Sequence, residues 1–456
     1  MICTLALAAA CTEDETAAPD GEPSEPPVFV SLSPVQAKAG DEITISGEYF
    51  GSDPSRVTVL INSTPVQIAS VTDNAITVIV PEDCGSGEIR VGIRRSTGGY
   101  GKLYETTFET LFTYTVESNV STFAGQSGLT GQHYFGPYLT SCFYAPSQLV
   151  CDADDNFYLA EWARGIRLLK DGETSWLIPM YGGGTPDQNQ GNIATDPYSY
   201  DFRAVAFSVD CSRLWILVNR SQSKGAYLGY ALQSDGYKLW YADSQDDQPD
   251  CEGMTVNPVD GSIIICRNSN VSTGIFRYNP DTHTLSEVSG YTPLGVKCQS
   301  RPVFSKDGTR LYVIHKGRHC ISAYDYDPQT GQLSGEIHEF AGQNSDTGDY
   351  ADGTGKDARF NYPEYGCCDD EGNLYVADSW NHCVRKITPD GVVTTFAGIP
   401  YPSTGTDGNN PTAFANGRPE DAVFSKPNGI CMDSRGNLYV AEEGFADIRR
   451  IVIGNE

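Results

Sequence analysis

The sequence predicts an all-β protein, with an immunoglobulin-like sandwich followed by a six-bladed β-propeller. Short runs rich in apolar and β-branched residues, separated by turn residues, recur from residue 28 to the end. One pattern of such runs, clearest at residues 358–398, returns several times in the second part of the chain. The first part lacks that pattern but has about seven strand-length runs at turn-punctuated spacing, which is typical of a sandwich.

Residues 1–11 have the character of a processing segment. The apolar run Leu5–Ala10 (LALAAA) ends in small residues directly before Cys11. This start resembles the signal peptide of bacterial lipoproteins, which implies cleavage before Cys11 and lipidation of that residue. The acidic Thr12–Glu15 (TEDE) resembles the surface-export signal of Bacteroidetes lipoproteins. We therefore expect an outer-membrane, lipid-anchored, surface-exposed protein. An ordinary secretory signal with an acidic tail is the alternative.

A tether and a sandwich domain follow. Residues 12–27 are rich in proline and acidic residues, cannot bury a core, and are predicted to be flexible. Residues 28–117 carry the frame S-P-x-x-x-x-x-G-D-x-[IV]-T-I-x-G-x-x-F-G, which resembles the IPT/TIG family. In that family the glycines permit tight turns and the phenylalanine packs under them, and Gly47 and Phe50 hold two of those places here. The resemblance implies a spacer or docking module and no chemistry.

Residues 118–456 contain the repeated pattern. Residues 358–398 divide into four strand-length runs joined by the turn sequences DEGN, DSWN and TPDG, as in one propeller blade. The frame is F-x-x-P, a strand ending near Asp, N-[LF]-Y-[VL]-A-[DE], and a basic-apolar strand. Further copies, some of them looser, make six units and therefore predict six blades: Phe143–Leu169, Arg203–Leu232, Glu252–Tyr278, Pro302–Tyr326 and Phe424–Ile451.

The ends of the repeat region predict how the ring closes. The last unit lacks a fourth strand, and Val120–Gly125 (VSTFAG) nearly duplicates the fourth strand at Val393–Gly398 (VTTFAG). We expect the early strand to complete the last blade, which would remove the exposed edges of an open sheet. The repeat frame resembles the NHL repeat family, and this resemblance implies an NHL-type propeller.

Charge and motifs exclude several functions. The formal net charge of -28 would repel a phosphate backbone, so no nucleic-acid partner is expected. No apolar run is long enough to span a bilayer. The sequence has neither G-x-S-x-G nor S-x-x-K, so no catalytic residue is predicted, although a carboxylate pair for glycosidic cleavage stays open.

The candidate ligand-binding residues lie in the loops between second and third strands. Long loops on a rigid scaffold usually carry function, and aromatic planes interleaved with Asn, Asp, Glu and Arg suit sugars. The alternative is that the aromatics pack neighbouring blades together and that the acidic residues cap turns. The candidates are Trp162, Arg164, Asn219, Arg267, His315, His319, Asp378, Trp380, His382, Glu442 and Phe445.

No metal site or cofactor is predicted. The chain has six histidines, but HExxH and paired CxxC motifs are absent. Some NHL-type propellers are zinc lyases that use channel histidines, and nothing in this sequence places three histidines on the channel. The acidic loop Asp346–Asp357 has the oxygen donors that calcium prefers, but it lacks D-x-D-x-D-G spacing, which favours a solvated loop.

These observations favour a non-catalytic cell-surface binding lipoprotein. Its expected ligand is a glycan on the loop-rich face of the propeller, and its expected partner is an outer-membrane transporter complex. One alternative is a polysaccharide or peptide lyase or hydrolase that uses the same face. A second alternative is a protein-docking scaffold.

Overall fold

The computed structural model describes residue 23 and residues 25–454 apart from several short segments. The segments that are not described are 83, 98–99, 130–133, 163, 180–199, 221–225, 238–239, 243–250, 269–272, 296–297, 402–410 and 412. The predicted signal peptide, the lipidation site Cys11 and nearly all of the predicted tether lie outside the described residues. The described chain divides into two compact units, with the boundary between Glu117 and Ser118.

The first unit is an all-β sandwich. Its strands are β1 (Val28–Ser33), β2 (Gln36–Ala37), β3 (Glu42–Glu48), β4 (Val57–Ile61), β5 (Thr64–Pro65), β6 (Gln67–Thr72), β7 (Ala75–Ile79), β8 (Ile89–Thr97), β9 (Tyr100–Thr107) and β10 (Thr113–Tyr114). They form the sheets β1-β3-β7-β6 and β5-β4-β8-β9 and the short parallel pair β10-β2. Alternate residues of the strands are buried and meet in one apolar core.

Gly47 shows why the sandwich frame contains a glycine. A Cβ at this position would come within 2.3 Å of Phe50 Cζ and 2.0 Å of the Val28 carbonyl oxygen. Phe50 is 4% exposed, so the ring occupies the space that the glycine leaves. The prediction that this phenylalanine packs against the frame glycine is confirmed, but Gly47 itself lies in β3 and not in a tight turn.

The second unit is built from short strands. They are β11 (Asn119–Ala124), β12 (Gly136–Pro137), β13 (Pro146–Cys151), β14 (Phe157–Glu161), β15 (Gly165–Lys170), β16 (Glu173–Pro179), β17 (Tyr200–Phe207), β18 (Arg213–Arg220), β19 (Ala226–Leu232), β20 (Trp240–Ala242), β21 (Cys251–Val256), β22 (Ile263–Asn268), β23 (Thr273–Asn279), β24 (Thr284–Glu287), β25 (Ser300–Phe304), β26 (Arg310–His315), β27 (Cys320–Asp327), β28 (Gln332–Ala341), β29 (Gly353–Thr354), β30 (Pro363–Cys368), β31 (Leu374–Asp378), β32 (Cys383–Ile387), β33 (Val392–Ala397), β34 (Pro427–Met432), β35 (Leu438–Glu442) and β36 (Asp447–Val452).

Helical segments of the described chain are single 3-10 turns. They lie at Pro54–Arg56, Tyr138–Thr140, Gln233–Asp235, Lys316–Arg318, Gly355–Asp357, Ser379–Asn381 and Pro419–Asp421. Within the described ranges, no helix has the length and apolar character needed to cross a membrane.

The sheets of the second unit have a propeller-like arrangement. The described residues form six antiparallel sheets in which sequential strands pair, and two of these sheets gain a two-residue strand at the outer edge. The first strands of neighbouring sheets contact each other in a cycle, which runs β13, β17, β21, β25, β30, β34 and back to β13. Apolar clusters fill the spaces between neighbouring sheets. The cyclic contacts leave a central channel lined by the first strands.

The last sheet is closed by the first strand of the unit. β11 pairs antiparallel with β36, and Val120 lies opposite Ile451 in the register. Both side chains are fully buried. The prediction that the early strand completes the last sheet is confirmed.

A polar turn recurs in the three repeats that match the repeat frame best, at residues 143–169, 358–398 and 424–451. It explains their D-x-x-x-N-x-Y spacing. Asp369 Oδ2 accepts hydrogen bonds from Asn373 Nδ2 at 2.8 Å and from the Tyr375 hydroxyl at 3.2 Å. The same bonds form in the equivalent turns that begin at Asp152 and Asp433. Each turn thus satisfies its own polar groups at the end of the first strand, where the chain reverses into the second.

Removal of β11 is expected to destabilise the second unit. A chain that begins at Gln126 leaves β36 with an unpaired edge and exposes Ile451. We expect its free energy of unfolding to fall by at least about 2 kcal/mol, the transfer free energy of one fully buried valine. Thermal melting and amide exchange of β36 should show the difference from a chain that begins at Ser118. Identical melting of the two chains would contradict the closure.

Candidate functional site

Bulges at the start of the first strands bring polar residues to one end of the channel. In five of the six described sheets, the register between first and second strands shifts at this level. A bulge takes residues out of the ladder and redirects their side chains, and bulges often border functional sites. The bulge residues include Ser147, Arg203, Glu252, Glu364 and Asn428. Because first strands begin where second strands end, this end of the channel is the face that carries the loops between second and third strands.

Charged side chains at this level form a continuous series of ion pairs. Arg203 Nη1 lies 3.3 Å and Arg301 Nη1 lies 3.7 Å from Glu252 Oε2. Arg301 Nη2 lies 2.9 Å from Glu364 Oε2, and Lys316 Nζ contacts the other oxygen of Glu364. We call these five side chains the charge arc. They come from four consecutive sheets, alternate in sign, and place a cation at each end.

Burial differs along the charge arc. The side chains of Glu252, Arg301 and Glu364 are 6–8% exposed, whereas those of Arg203 and Lys316 are 24% and 23% exposed. Burial alone would raise the pKa of Glu364, but the charges of Lys316 and Arg301 outweigh it and hold the pKa below its usual value. Burial likewise opposes the charge of Arg301, yet Tyr365, Glu364 and Glu252 together raise its pKa. Glu364 and Arg301 are therefore both ionised at neutral pH.

Tyr365 crosses the channel beneath the charge arc. Its hydroxyl donates a hydrogen bond to the carbonyl of Arg203, which belongs to a sheet on the other side of the channel. The guanidinium of Arg301 lies 4.7 Å from the centre of the Tyr365 ring. Tyr365 lines a cavity at the loop-bearing end and a second, largely apolar cavity at the opposite end. It thus lies at the boundary between a polar mouth and the apolar remainder of the channel.

The polar cavity, which we call the channel mouth, encloses about 540 Å³ including open solvent at its entrance. Trp162 is 48% exposed at this cavity, and its ring centre lies 5.8 Å from the Arg203 guanidinium carbon. The side of the cavity opposite Glu364 and Lys316 also includes Ser147, Asn428 and the exposed Glu443. An accessible aromatic face beside hydroxyl, amide and charged groups can bind a small polar molecule.

Asp378 and Glu442, two of the predicted residues, belong to a buried structural pairing. Arg385 Nη1 lies 2.8 Å from Asp378 Oδ2, and Arg449 Nη1 lies 3.3 Å from Glu442 Oε2, with all four side chains fully buried. Each carboxylate also accepts a backbone N–H from the segment that leads into its sheet, and each arginine donates to carbonyls of that segment. Glu161 makes the same kind of pair with Arg167. These carboxylates hold neighbouring segments together and do not line the channel mouth.

The predicted histidines are buried and hydrogen-bonded. His319 Nδ1 accepts from Tyr362 N at 3.0 Å, and His382 Nδ1 accepts from Lys426 N at 3.1 Å, so each joins its sheet to the next. His315 lies between the hydroxyls of Ser300 and Ser322 at 3.0 Å each. Burial is the main cause that lowers the pKa of His315 to about 3 and that of His319 to about 4, so both rings are neutral at physiological pH.

The remaining predicted residues are spread over the unit. Asn219 Oδ1 accepts from Cys251 N at 3.2 Å, which joins two sheets. The Arg164 guanidinium lies 4.4 Å from the Tyr144 ring centre, and that of Arg267 lies 4.1 Å from the Phe276 ring centre.

The two other aromatic candidates stack on neighbouring rings. Trp380 lies 4.3 Å from Tyr362 between ring centres. Phe445 is 7% exposed, and its ring centre lies 5.5 Å from that of Phe414. Of the predicted set, the described channel mouth includes Trp162.

The charge arc was not predicted from the sequence, although the sequence contains a pattern that indicates it. In each repeat, the polar residue at the beginning of the first strand occupies an equivalent position. In chain order these residues are Ser147, Arg203, Glu252, Arg301, Glu364 and Asn428. The four residues from Arg203 to Glu364 alternate in charge. Alternating charge at one position of successive repeats, which a ring brings side by side, would have identified the arc.

The described part of the chain contains no set of side chains that could bind a metal ion. No group of three or more His, Cys, Asp or Glu side chains has a geometry that could hold an ion there. The acidic loop at Asp346–Asp357 likewise contains no such group.

Glu442 has a second acidic neighbour. The carboxyl of Asp447, at the start of β36, is fully buried beside that of Glu442. Burial is the largest cause that raises the pKa of both groups. The charge of Asp447 raises the pKa of Glu442 further, while Arg449 opposes the rise in both. The folded pair therefore holds a proton that the unfolded chain releases above about pH 4.

Asp447→Asn is expected to stabilise the protein at alkaline pH. Because the folded pKa values are raised, the free energy of unfolding falls as pH rises above about 4, and an amide removes the second charge while it keeps a donor for Glu442. We expect a gain of about 1–2 kcal/mol at pH 8 that disappears near pH 4. Thermal melting across this pH range measures it, with Asp390→Asn at an exposed position as the control. An equal gain at both pH values would rule out the shared proton.

Two family models match parts of the chain. The IPT/TIG domain model matches residues 27–110, and the SMP-30/Gluconolactonase/LRE-like region model matches residues 266–406. Protein SUPPRESSOR OF QUENCHING 1, chloroplastic, of Arabidopsis thaliana is 29% identical over 189 residues, which is 41% of this chain. NHL repeat-containing protein 2 of Bos taurus is 36% identical over 101 residues, which is 22% of this chain. The matched regions span 15% and 13% of the lengths of these two relatives.

Solved structures match nearly the whole chain. An auxiliary nutrient binding protein from Bacteroides ovatus has a TM-score of 0.70 at 22% identity and covers 95% of this chain and 99% of its own. A second protein of that description, from Bacteroides thetaiotaomicron, has a TM-score of 0.59 at 24% identity, with coverages of 96% and 100%. A putative phosphatase from Bacteroides thetaiotaomicron has a TM-score of 0.60 at 22% identity, with coverages of 97% and 100%. At these identities the likeness shows a shared fold. The chain therefore has an N-terminal region similar to IPT/TIG domains, followed by a propeller-like region that is similar over part of its length to SMP-30/Gluconolactonase/LRE-like and NHL repeat-containing proteins.

Proposed function

We propose that this protein is a non-catalytic binding lipoprotein of the cell surface, which binds glycan at the channel mouth as part of an outer-membrane uptake system. The observation that carries the proposal is the half-exposed indole of Trp162 at a polar cavity. Sugar rings stack on such aromatic faces while their hydroxyls bond to neighbouring polar groups. The description of two neighbours of this fold as auxiliary nutrient binding proteins supports a binding role.

The ion pairing of the mouth favours binding over catalysis. A general acid or base must change its protonation state near the working pH. Glu252 and Glu364 each face two cations, and the pKa of Glu364 is held below its usual value. A carboxylate held in this way is a poor proton donor, which speaks against a lyase or hydrolase built on the charge arc.

A closed ring of six blades is part of the proposal. The cyclic contacts of the first strands and the completion of the last sheet by β11 support it. A closed ring fixes the spacing of the bulges, so the residues at the mouth are positioned before a ligand arrives. Such preorganisation reduces the ordering cost of binding.

Attachment to the outer membrane through Cys11 completes the proposal. The apolar run before Cys11 and the acidic residues after it support lipidation and surface export. Cells fed a labelled fatty acid are expected to label this protein, whereas Cys11→Ser should remain unlabelled and leave the membrane fraction. Labelling of the Cys11→Ser protein would contradict the assignment.

Trp162→Ala is expected to weaken glycan binding by about tenfold or more, because it removes the stacking face at the mouth. The measurement is calorimetry on every glycan that binds in a broad screen, with product analysis alongside. Trp380→Ala tests the other aromatic candidate, which stacks on Tyr362 outside the mouth, and should change the affinity by less than about twofold.

Three results would count against the proposal. Shortened or unsaturated glycan products would establish an enzyme. Unchanged binding in Trp162→Ala would exclude the mouth. Failure of every glycan to bind, combined with capture of a membrane partner, would favour the protein-docking scaffold.

A further inference from the structure

We infer that the channel mouth selects a sugar that carries a carboxylate, and that Arg203 and Lys316 bind this group. The inference rests on the proposed function, because it names the class of glycan that the same mouth would take. It follows from the way charge, exposure and aromatic surface are divided around the mouth.

The exposed ends of the charge arc are both positive. Its three cations face two carboxylates, and the central Arg301 is shared between Glu252 and Glu364. The three buried members carry two negative charges and one positive charge. The single excess positive charge of the arc therefore lies with its terminal cations Arg203 and Lys316, which are about a quarter exposed. An anionic group in the cavity would meet these two side chains before the buried carboxylates.

The opposite side of the mouth has a different character. Trp162 and Ser147 come from the sheet of β13–β16, and Asn428 and Glu443 come from the sheet of β34–β36. The one carboxylate on this side, Glu443, is an exposed residue. A sugar ring stacked on Trp162 would thus have hydroxyl-binding groups around it, with Arg203 beside the indole and Lys316 across the cavity.

The local charge of the arc runs against that of the whole chain. The chain has a formal net charge of -28, so its long-range field disfavours anionic ligands. Long-range fields are screened over about 8 Å at physiological ionic strength, whereas contacts inside a cavity are screened much less. Cations at the mouth of an acidic protein are therefore suited to holding a carboxylate by direct contact, through charge-assisted hydrogen bonds.

The two terminal cations can be removed without stranding a buried charge. Without Lys316, Glu364 keeps its pair with Arg301, and without Arg203, Glu252 keeps the same partner. Removal of Arg301 would instead leave two buried carboxylates without their shared cation, which is strongly destabilising. Lys316→Met and Arg203→Gln are therefore the informative variants, and Lys316→Arg is the conservative one.

The experiment is a screen of the full chain against uronic-acid polysaccharides and against the same polysaccharides after chemical reduction of each carboxylate to a primary alcohol. Neutral glycans are included in the same screen. We expect the acidic forms to bind. The reduced forms should have an affinity that is lower by about tenfold or more, which is the contribution of one charge-assisted hydrogen bond.

The variants assign the effect to the charge arc. Lys316→Met and Arg203→Gln should each lose about fivefold or more in affinity for the acidic glycan and less than about twofold for its reduced form, with Lys316→Arg close to the unmodified protein. Arg418→Gln, at an exposed arginine outside the mouth, is the matched control. Circular dichroism and melting curves verify the fold of each variant.

The outcomes separate this inference from the proposed function. If the protein binds neutral or reduced glycans as tightly as acidic ones, the carboxylate selectivity is refuted and glycan binding stands. If acidic glycans bind but both cation variants retain full affinity, the assignment to Arg203 and Lys316 is refuted. If no glycan binds, the proposed function and the inference fall together.

Discussion

The structure of the three repeats that match the repeat frame best depends on buried ion pairs between an arginine and a carboxylate. Arg385 with Asp378 and Arg449 with Glu442 each join the end of a second strand, the middle of a third strand and the segment that leads into the sheet. Aromatic rings cover the guanidinium groups, as Phe360 does for Arg385 at 4.9 Å. Burial of such charges is costly unless every polar atom finds a partner, and loss of one member leaves a charge unpaired. These pairs therefore fix where their own sheets begin, and the bulges of those sheets lie at that level.

Much of the fold could be predicted because its signals are local. Strand-length runs, turn residues and the N-[LF]-Y-[VL]-A-[DE] frame occupy contiguous stretches, and one duplicated hexapeptide revealed how the last sheet is completed. The candidate site could be predicted only in part. Trp162 was anticipated from its loop, but the partners of the charge arc are far apart in sequence. Arg301 and Glu364 are separated by 63 positions, and only the cyclic order of the sheets brings them together.

Three of the residues that the sequence favoured as ligand contacts, Asn219, His319 and His382, join sheets to one another. Polar side chains at the ends of second strands bond to the backbone of the next segment, as His382 does with Lys426 N and Asn219 does with Cys251 N. A propeller needs such bonds because its blades are separate sheets with no shared backbone ladder. Polar residues in these loops are thus needed to join the sheets. The groups that face the channel mouth lie instead at the starts of the first strands.

The bulges have a consequence for how recognition can change. A bulge residue makes no ladder bond, so its side chain can be replaced with little effect on strand pairing. Five of the six described sheets offer the mouth such a position, so a few substitutions could change ligand preference on an unaltered scaffold. The shared carboxylates impose a rule on that freedom. Because Glu252 and Glu364 each depend on Arg301, the inner positions can change only in compensated combinations, whereas Ser147, Asn428, Arg203 and Lys316 can vary singly.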